Sequence, residues 1–330
     1  MVVILFKFSV WQEAWARKVM FMNVAKRGVE EPKRHHYIPQ FILRNFCFNE
    51  RGDLFYYDKE NSKISVKNTR DVFMVRNLYR DEINNPDEPT RIEKDMARFE
   101  SEASRIITGK ILVNDEISLT LEEDEKLKLF FAIMAFRSRI TSNMFGIGVS
   151  EENKVFYSRY QKDGNLSDFW KRNLGNLVNC RSLKEVWDHK GIDDPIKVFF
   201  QRDICGYFGL YFVVVERRGP IDFVISDVYP TIMNGVTARK WELMLYSIFP
   251  ISPDRTILLT ANGVCGAPKN VAFFSNEVLR KPKLNPDGKS ITIRTRKIYE
   301  REVRYVNSVL MDEAQEGIAF RDKGRVVLAM

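Results

Sequence analysis

The 330-residue chain has few of the residues and motifs on which several common catalytic sites depend. Its four cysteines are scattered, with no CxxC pair and no zinc-finger spacing. It also has no P-loop and none of the motifs GxGxxG, GxSxG and HExxH. These absences disfavour a P-loop ATPase and a dinucleotide-dependent oxidoreductase, and they leave Ser-His-Asp hydrolysis without local support.

Long apolar runs are missing as well. The opening MVVILFKFSVW is apolar over too few residues to span a bilayer, and no small-residue cleavage site of the secretory type follows it. Isolated thiols are typical of a reducing compartment and argue against a disulfide framework. We therefore expect a cytoplasmic protein without a membrane partner.

The composition is that of a folded, basic protein. Hydrophobic residues make up 45% of the chain and aromatic residues 12%, enough for a substantial core. The net charge of +8 and the pI of about 9.2 favour polyanionic partners, with nucleic acid as the main candidate.

Changes in periodicity along the chain predict its organisation. Residues 1–32 read as a leader or N-terminal extension, 33–322 as a single domain and 323–330 as a tail. The domain begins with a small αβ opening, continues through a helical part to about residue 208, and ends in a largely antiparallel sheet with a closing helix. This order predicts an α+β fold, since strands and helices do not alternate regularly.

Several elements can be predicted individually. Apolar residues recur at three- and four-residue steps over Arg91–Val113, which predicts an amphipathic helix. Thr120 and Glu123 form the pattern of a capping box, so a second helix should begin there and end on Arg137 and Arg139. Strands are predicted at DLFYYD and ISVKN, which should form a hairpin, and at YFVVVE, DFVISD, LMLYSIF, TILLT and ITIRTRK, before a helix over about Tyr299–Gln315.

The stretch Lys33–Phe46, KRHHYIPQFILRNF, is the most informative part of the sequence. It holds two of the three histidines of the chain, His35 and His36, just before a short helix pattern that opens at Pro39. On a strand the two side chains would point to opposite faces and could not both reach one ligand. In a loop they could do so.

This stretch resembles the opening of the domain-of-unknown-function 4238 family. The matching positions are His35, His36, Tyr37, Pro39, Gln40, Leu43, Arg44 and Phe46, followed by Tyr57, Asp58 and Lys59. Weaker matches follow in order at Asn77-Leu78-Tyr79, Ile92-Glu93, Phe99-Glu100, Arg137, Ser226-Asp227, Phe249–Pro253 and Asn307. The resemblance covers roughly residues 33–322 and implies the fold more than an activity, since the family has no settled activity.

A functional hypothesis follows from the histidines. His36, with His35 beside it, could take a proton from water or bind a metal near neutral pH. The opening also resembles that of a His-Asn-His nuclease, although the second histidine of that motif is absent. Carboxylates would then have to bind Mg²⁺ or Mn²⁺, for which we predict Asp58 and Glu100. The leading hypothesis is a metal-assisted phosphodiesterase or nuclease acting on nucleic acid.

Two arginines complete the predicted site. Arg44 and Arg137 could bind a phosphate through the planar guanidinium group. They could equally be structural partners of carboxylates, and a partly buried Glu100 would have Arg137 as its natural partner.

The alternative hypothesis is a non-catalytic module that binds nucleic acid or a partner protein. The stretch Arg280–Arg304 carries nine Lys or Arg residues against three Asp or Glu. As one strand, ITIRTRK would place Arg294 and Arg296 on one face. Together with Lys297, these residues form the predicted nucleic-acid-binding surface. The Lys33–Phe46 motif would then be architectural.

Overall fold

The computed structural model describes residues 34–138, 166–197, 210–235, 244–261, 274 and 277–327. The described residues belong to one compact unit, Arg34–Met330. Helices and mainly antiparallel sheets occur in separate parts of this unit, which confirms the α+β prediction. The predicted leader, 1–32, lies outside the described residues.

The opening segment is a small αβ unit. Strand β1 (Arg34–His36) pairs antiparallel with β4 (Met74–Arg76). Between them lie helix α1 (Gln40–Leu43), which begins after Pro39, and the antiparallel hairpin of β2 (Asp53–Asp58) and β3 (Lys63–Asn68). The predicted hairpin is therefore confirmed.

The helical part is built on two long helices. Helix α2 (Arg91–Ile106) continues through a π-helical turn, Ile107–Ile111. Helix α3 (Leu121–Arg137) begins at the predicted capping box, in which Thr120 Oγ1 accepts from the Glu123 N–H at 3.1 Å. Helices α4 (Leu166–Leu177) and α5 (Leu183–Asp188) follow.

The C-terminal part supplies most of the strands. They are β6 (Leu210–Arg217), β7 (Ile225–Ser226), β8 (Thr231–Gly235), β9 (Met244–Pro250), β10 (Arg255–Ala261), β11 (Lys283–Leu284), β12 (Ser290–Arg294), β13 (Arg296–Ile298) and β14 (Gly317–Phe320), with helix α6 (Glu300–Glu313) before the last. A five-stranded sheet has the order β13-β6-β10-β9-β8, and a four-stranded sheet the order β3-β2-β14-β7.

One strand prediction was wrong, and one strand was missed. ITIRTRK is not one strand, because the chain leaves one sheet and enters another at Thr295, whose N–H donates to Asp115 O at 2.8 Å. Strand β12 pairs with β5 (Glu116–Thr120) in a three-stranded sheet, whereas β13 pairs parallel with β6. Strand β5 itself was missed, although its residues alternate between exposed and buried as in a half-buried strand.

Helix α3 forms the centre of the core. Its apolar residues are buried nearly all round, and the ring of Phe131 lies 4.4 Å from that of Phe249 in β9. This contact fixes the helix against the five-stranded sheet. Arg137, the last residue of α3, is thereby held beside the opening segment, where its Nε donates to Tyr37 O at 3.0 Å. No helix in the described ranges is long and apolar enough to cross a membrane.

Candidate functional site

The two neighbouring histidines lie on strand β1, so their side chains take different partners on its two faces. His35 is 2% exposed and faces helix α2, where its Nε2 lies 3.0 Å from Oε2 of Glu93. His36 is half-buried and faces the other way, with its Nε2 3.0 Å from Thr69 O. The two rings therefore cannot act on one ligand as a pair.

The partners of His35 determine which ring nitrogen carries the proton. Nδ1 accepts the backbone N–H of Tyr79 at 2.8 Å. Because a backbone N–H can only donate, Nδ1 must be unprotonated. The proton of the neutral ring is therefore on Nε2, which lies 3.0 Å from Glu93 Oε2 but does not have hydrogen-bond geometry toward it. Neither ring nitrogen of His35 offers a lone pair for proton transfer, because Nδ1 accepts from Tyr79 and Nε2 carries the proton.

Tyr79 reaches His35 because of a tight turn at Asn77. Asn77 has φ of 55°, a left-handed conformation that asparagine tolerates better than most residues. The Tyr79 ring stacks on His35 with centroids 5.4 Å apart, and its hydroxyl donates to His36 O at 3.2 Å. Burial raises the pKa of Tyr79 to about 12, so the phenol stays protonated.

His36 is a neutral imidazole held at one nitrogen. Thr69 O can only accept, so Nε2 of His36 carries the proton, and the same carbonyl accepts from Gln40 Nε2 at 2.8 Å. Burial is the main cause that lowers the pKa of His36 below its usual value. Because Nε2 carries the proton of the neutral ring, Nδ1 is unprotonated.

Arg137 and Glu100 form the second basic–acidic pair. The guanidinium is fully buried, and its Nη1 donates to Oε1 of Glu100, whose side chain is 22% exposed. Burial is the largest single influence and works against the charge of Arg137, but Glu100, Tyr79 and Tyr229 together outweigh it and the pKa is raised. Nη2 of Arg137 is buried and has no hydrogen-bond partner in the described part of the chain. The predicted ion pair is thus present, and Nη2 of Arg137 is a donor without an acceptor in the described ranges.

Glu93 and Glu100 project from the same face of α2, seven residues apart. Each uses one carboxylate oxygen for a buried donor, Glu93 for His35 and Glu100 for Arg137. The other oxygen of each has no protein partner in the described ranges, and the two side chains are 36% and 22% exposed. The arrangement presents two anchored carboxylates, each with one oxygen available.

Two of the predicted site residues lie elsewhere. Asp58 is at the turn between β2 and β3, where it accepts from the backbone N–H and Nδ2 of Asn61, both at 3.0 Å. The Asn61 backbone hydrogen bond is the main cause that lowers the pKa of Asp58. Arg44 is exposed on the turn after α1, with no side-chain partner in the described ranges. No group of three or more His, Cys, Asp or Glu able to hold a metal occurs among the described residues.

The predicted nucleic-acid-binding residues are partly paired. Arg294 Nε lies 3.1 Å from Glu116 Oε2, and Lys297 Nζ lies 3.8 Å from Glu216 Oε1. Arg296 has no ion-pair partner within the described part of the molecule. Because β12 and β13 belong to different sheets, these three residues do not lie along one strand.

Sequence reasoning missed Tyr79, Thr69 and Tyr229 as parts of this region. Tyr229 is buried, with its hydroxyl 3.3 Å from Pro250 O, and burial raises its pKa. The sequence does indicate Tyr79, because the Asn-x-Tyr step matches a family motif. It cannot indicate the backbone carbonyl of Thr69, since any residue at that position would supply one.

The comparison with protein families agrees with the resemblance noted in the sequence. The model of the family described as Protein of unknown function (DUF4238) matches residues 34–324, nearly the whole chain. The chain belongs to this family. Neither the search of curated proteins nor the search of solved structures found a match. Membership confirms the resemblance drawn from the histidine motif and adds no activity.

Proposed function

We propose that the chain is a metal-assisted phosphodiesterase that hydrolyses nucleic acid beside the Arg137–Glu100 pair. The observation that supports this best is Nη2 of Arg137, a buried donor without an acceptor in the described ranges, next to a partly exposed carboxylate. Leaving such a donor unpaired costs about 1–3 kcal/mol. A non-bridging phosphate oxygen is an acceptor suited to a guanidinium group.

The metal ion would be bound by Glu100. Mg²⁺ and Mn²⁺ prefer oxygen ligands, and Mg²⁺ commonly keeps several waters while binding one or two carboxylates and the substrate phosphate. A cage of three protein ligands is therefore not required. Arg137 holds one oxygen of Glu100 and leaves the other for the ion, as hydrogen-bonded ligands do in metal sites.

Glu93 would serve as the general base. Seven residues of helix separate Glu93 and Glu100 by about 10.5 Å along the axis, too far for one ion to be shared easily. The free oxygen of Glu93 takes a proton from water, and the water oxygen attacks phosphorus. The bond to the leaving oxygen breaks, and that oxygen takes a proton from solvent. A divalent ion held by Glu100 would offset the negative charge that develops there. His35 keeps Glu93 oriented throughout.

His36 is the competing base. Its pKa is lowered and its Nδ1 is unprotonated, both of which suit proton abstraction. Its ring lies on the other face of β1 from Glu93, so it could not act on a phosphate bound at Glu100 without reaching across the strand. Glu93→Gln and His36→Ala, compared in one assay, decide between the two bases.

The test is a cleavage assay with labelled single- and double-stranded DNA and RNA in EDTA, Mg²⁺ or Mn²⁺. We expect cleavage of at least one substrate in Mg²⁺ or Mn²⁺ and none in EDTA. Cleavage that persists in EDTA would contradict a metal-assisted mechanism. Absence of cleavage under every condition, by protein shown to be folded by circular dichroism, would reject the enzyme.

A second candidate function is supported by the same pairs. His35–Glu93 joins β1 to α2, and Arg137–Glu100 joins α3 to α2, so both can be explained as a clasp within the fold. The chain would then be a non-catalytic module that binds nucleic acid. It predicts salt-sensitive binding by a protein that cleaves none of the four substrates.

A further inference from the structure

A short hairpin on the surface carries most of the unpaired positive charge of the region predicted to bind nucleic acid. We define the basic hairpin as residues 280–294, in which β11 and β12 pair antiparallel. Its turn is shaped by Gly288, with φ of 63°, and by Asp287, whose Oδ1 accepts from the N–H groups of Lys289 and Ser290. On its other edge β12 pairs with β5, which leads directly into helix α3.

Four cations of the basic hairpin are exposed. Arg280, Lys281, Lys283 and Lys289 have no ion-pair partner among the residues that the structure describes. The single carboxylate within the hairpin, Asp287, is engaged in the turn, and the Lys289 backbone hydrogen bond is the main cause that lowers its pKa. Arg294, at the end of β12, differs because Glu116 compensates its charge.

Polar groups accompany these charges on the outer face of the three-stranded sheet. The register places Lys283, Thr292 and Ser118 in one row across the three strands. Asn285 joins this face, donating to Ser290 Oγ and accepting from the Thr292 hydroxyl, both at 2.8 Å. Lysine and arginine together with hydroxyl and amide groups are the usual contacts to a nucleic-acid backbone.

We infer that the basic hairpin binds the phosphate backbone of nucleic acid at a distance from the proposed active site. Helix α3 has 17 residues and therefore places its first residue about 25 Å from Arg137. A nucleic-acid strand advances about 3.4 Å per phosphate, so about seven nucleotides cover that distance. This part of the inference rests on the proposed function: duplex substrates shorter than about seven base pairs cannot contact both places.

The test compares two quadruple variants with the wild type. The hairpin variant carries Arg280→Ala, Lys281→Ala, Lys283→Ala and Lys289→Ala. The control carries Arg80→Ala, Lys94→Ala, Arg98→Ala and Lys184→Ala, which remove the same charge from residues that are already in ion pairs. Binding to a fluorescent duplex of about 25 base pairs is measured by anisotropy at several salt concentrations.

We expect the hairpin variant to bind at least about tenfold more weakly, and the slope of log K against log salt to fall by up to about 4. The control should keep the wild-type slope. A slope unchanged in the hairpin variant, or reduced equally in the control, would overturn the inference. Binding of the wild type to phosphatidylserine vesicles but not to DNA or RNA would overturn it as well.

Cleavage measurements separate this inference from the proposed function. If the wild-type protein cleaves nucleic acid, the hairpin variant should cleave a tetranucleotide at the wild-type rate and lose efficiency only on long substrates. An equal loss of cleavage rate on the tetranucleotide and on long substrates would contradict a remote binding surface. If no protein cleaves anything, the proposed function fails, whereas the salt slopes still decide whether the hairpin binds nucleic acid.

Discussion

The buried guanidinium of Arg137 and the carboxylate of Glu100 form an ion pair that joins the end of α3 to the middle of α2. The same guanidinium donates to Tyr37 O, directly after the two histidines. One side chain thus connects the helical core with the opening segment. It also lies beside the carboxylate that we propose as a metal ligand.

Removal of Arg137 should therefore be costly. Arg137→Met leaves Glu100 and the Tyr37 carbonyl without their partner, and breaking a buried pair typically costs about 3–5 kcal/mol. Urea unfolding of the variant and the wild type measures this difference. Arg98→Ala is the matched control, since Arg98 is 61% exposed and should change stability by only about 0.5 kcal/mol. Equal stability of Arg137→Met and wild type would contradict a structural role for the pair.

The tautomer of His35 can be tested with two substitutions. His35→Leu leaves the N–H of Tyr79 without an acceptor, which should cost about 1–3 kcal/mol in addition to lost packing. His35→Asn can place a carbonyl oxygen near the position of Nδ1 and should retain part of that stability. Thermal and urea unfolding compare the two. If His35→Asn were no more stable than His35→Leu, the hydrogen bond from Tyr79 would not account for the loss of stability in His35→Leu.

His36 should make stability depend on pH. Its pKa in the folded protein lies below the usual 6.5, so the unfolded chain binds the proton more readily. The contribution is fully present above about pH 6.5 and is lost as the pH falls from there through the folded pKa. Unfolding free energies from about pH 8 to about pH 5 should fall less steeply for His36→Gln than for the wild type. Parallel curves would show that His36 does not titrate differently on folding.

The capping box at Thr120 offers a simpler prediction. Thr120→Val keeps the shape of the side chain but removes the acceptor for the Glu123 N–H, and such losses cost about 1 kcal/mol. Ser118→Val, on the same strand and also exposed, is the control without a cap. A similar effect in both variants would mean that strand packing, not the cap, accounts for the change.

Local patterns were sufficient for much of the fold. The capping box, the amphipathic α2 and the β2–β3 hairpin follow from residue periodicity and turn chemistry, which act within a few residues. The end of β12 at Arg294 could not be found that way. It depends on a hydrogen bond from Thr295 to Asp115, 180 residues earlier in the chain, which places the flanking strands in different sheets.

Part of the candidate site was likewise predictable from the sequence, and part of it was not. Arg137 with Glu100 was predictable, because a partly buried carboxylate on α2 needs a cation and α3 ends in one. Asp58 was not excluded by the sequence, since nothing local shows that its carboxylate is used by Asn61 in a turn. The choice of Glu93 for His35 required knowing that the histidines lie on a strand, which their sequence left open.

The most direct test of the central claim is cleavage by Glu100→Gln against Glu102→Gln in Mg²⁺, with folding matched by circular dichroism. Glu102 is on the same helix, 49% exposed and paired with Lys126, so it controls for loss of a helix carboxylate. We expect Glu100→Gln to lose at least about a hundredfold in rate, as when a group that stabilises the transition state is removed. Glu102→Gln should match the wild type. Wild-type cleavage by Glu100→Gln, or an equal loss in both variants, would contradict a centre at Arg137 and Glu100.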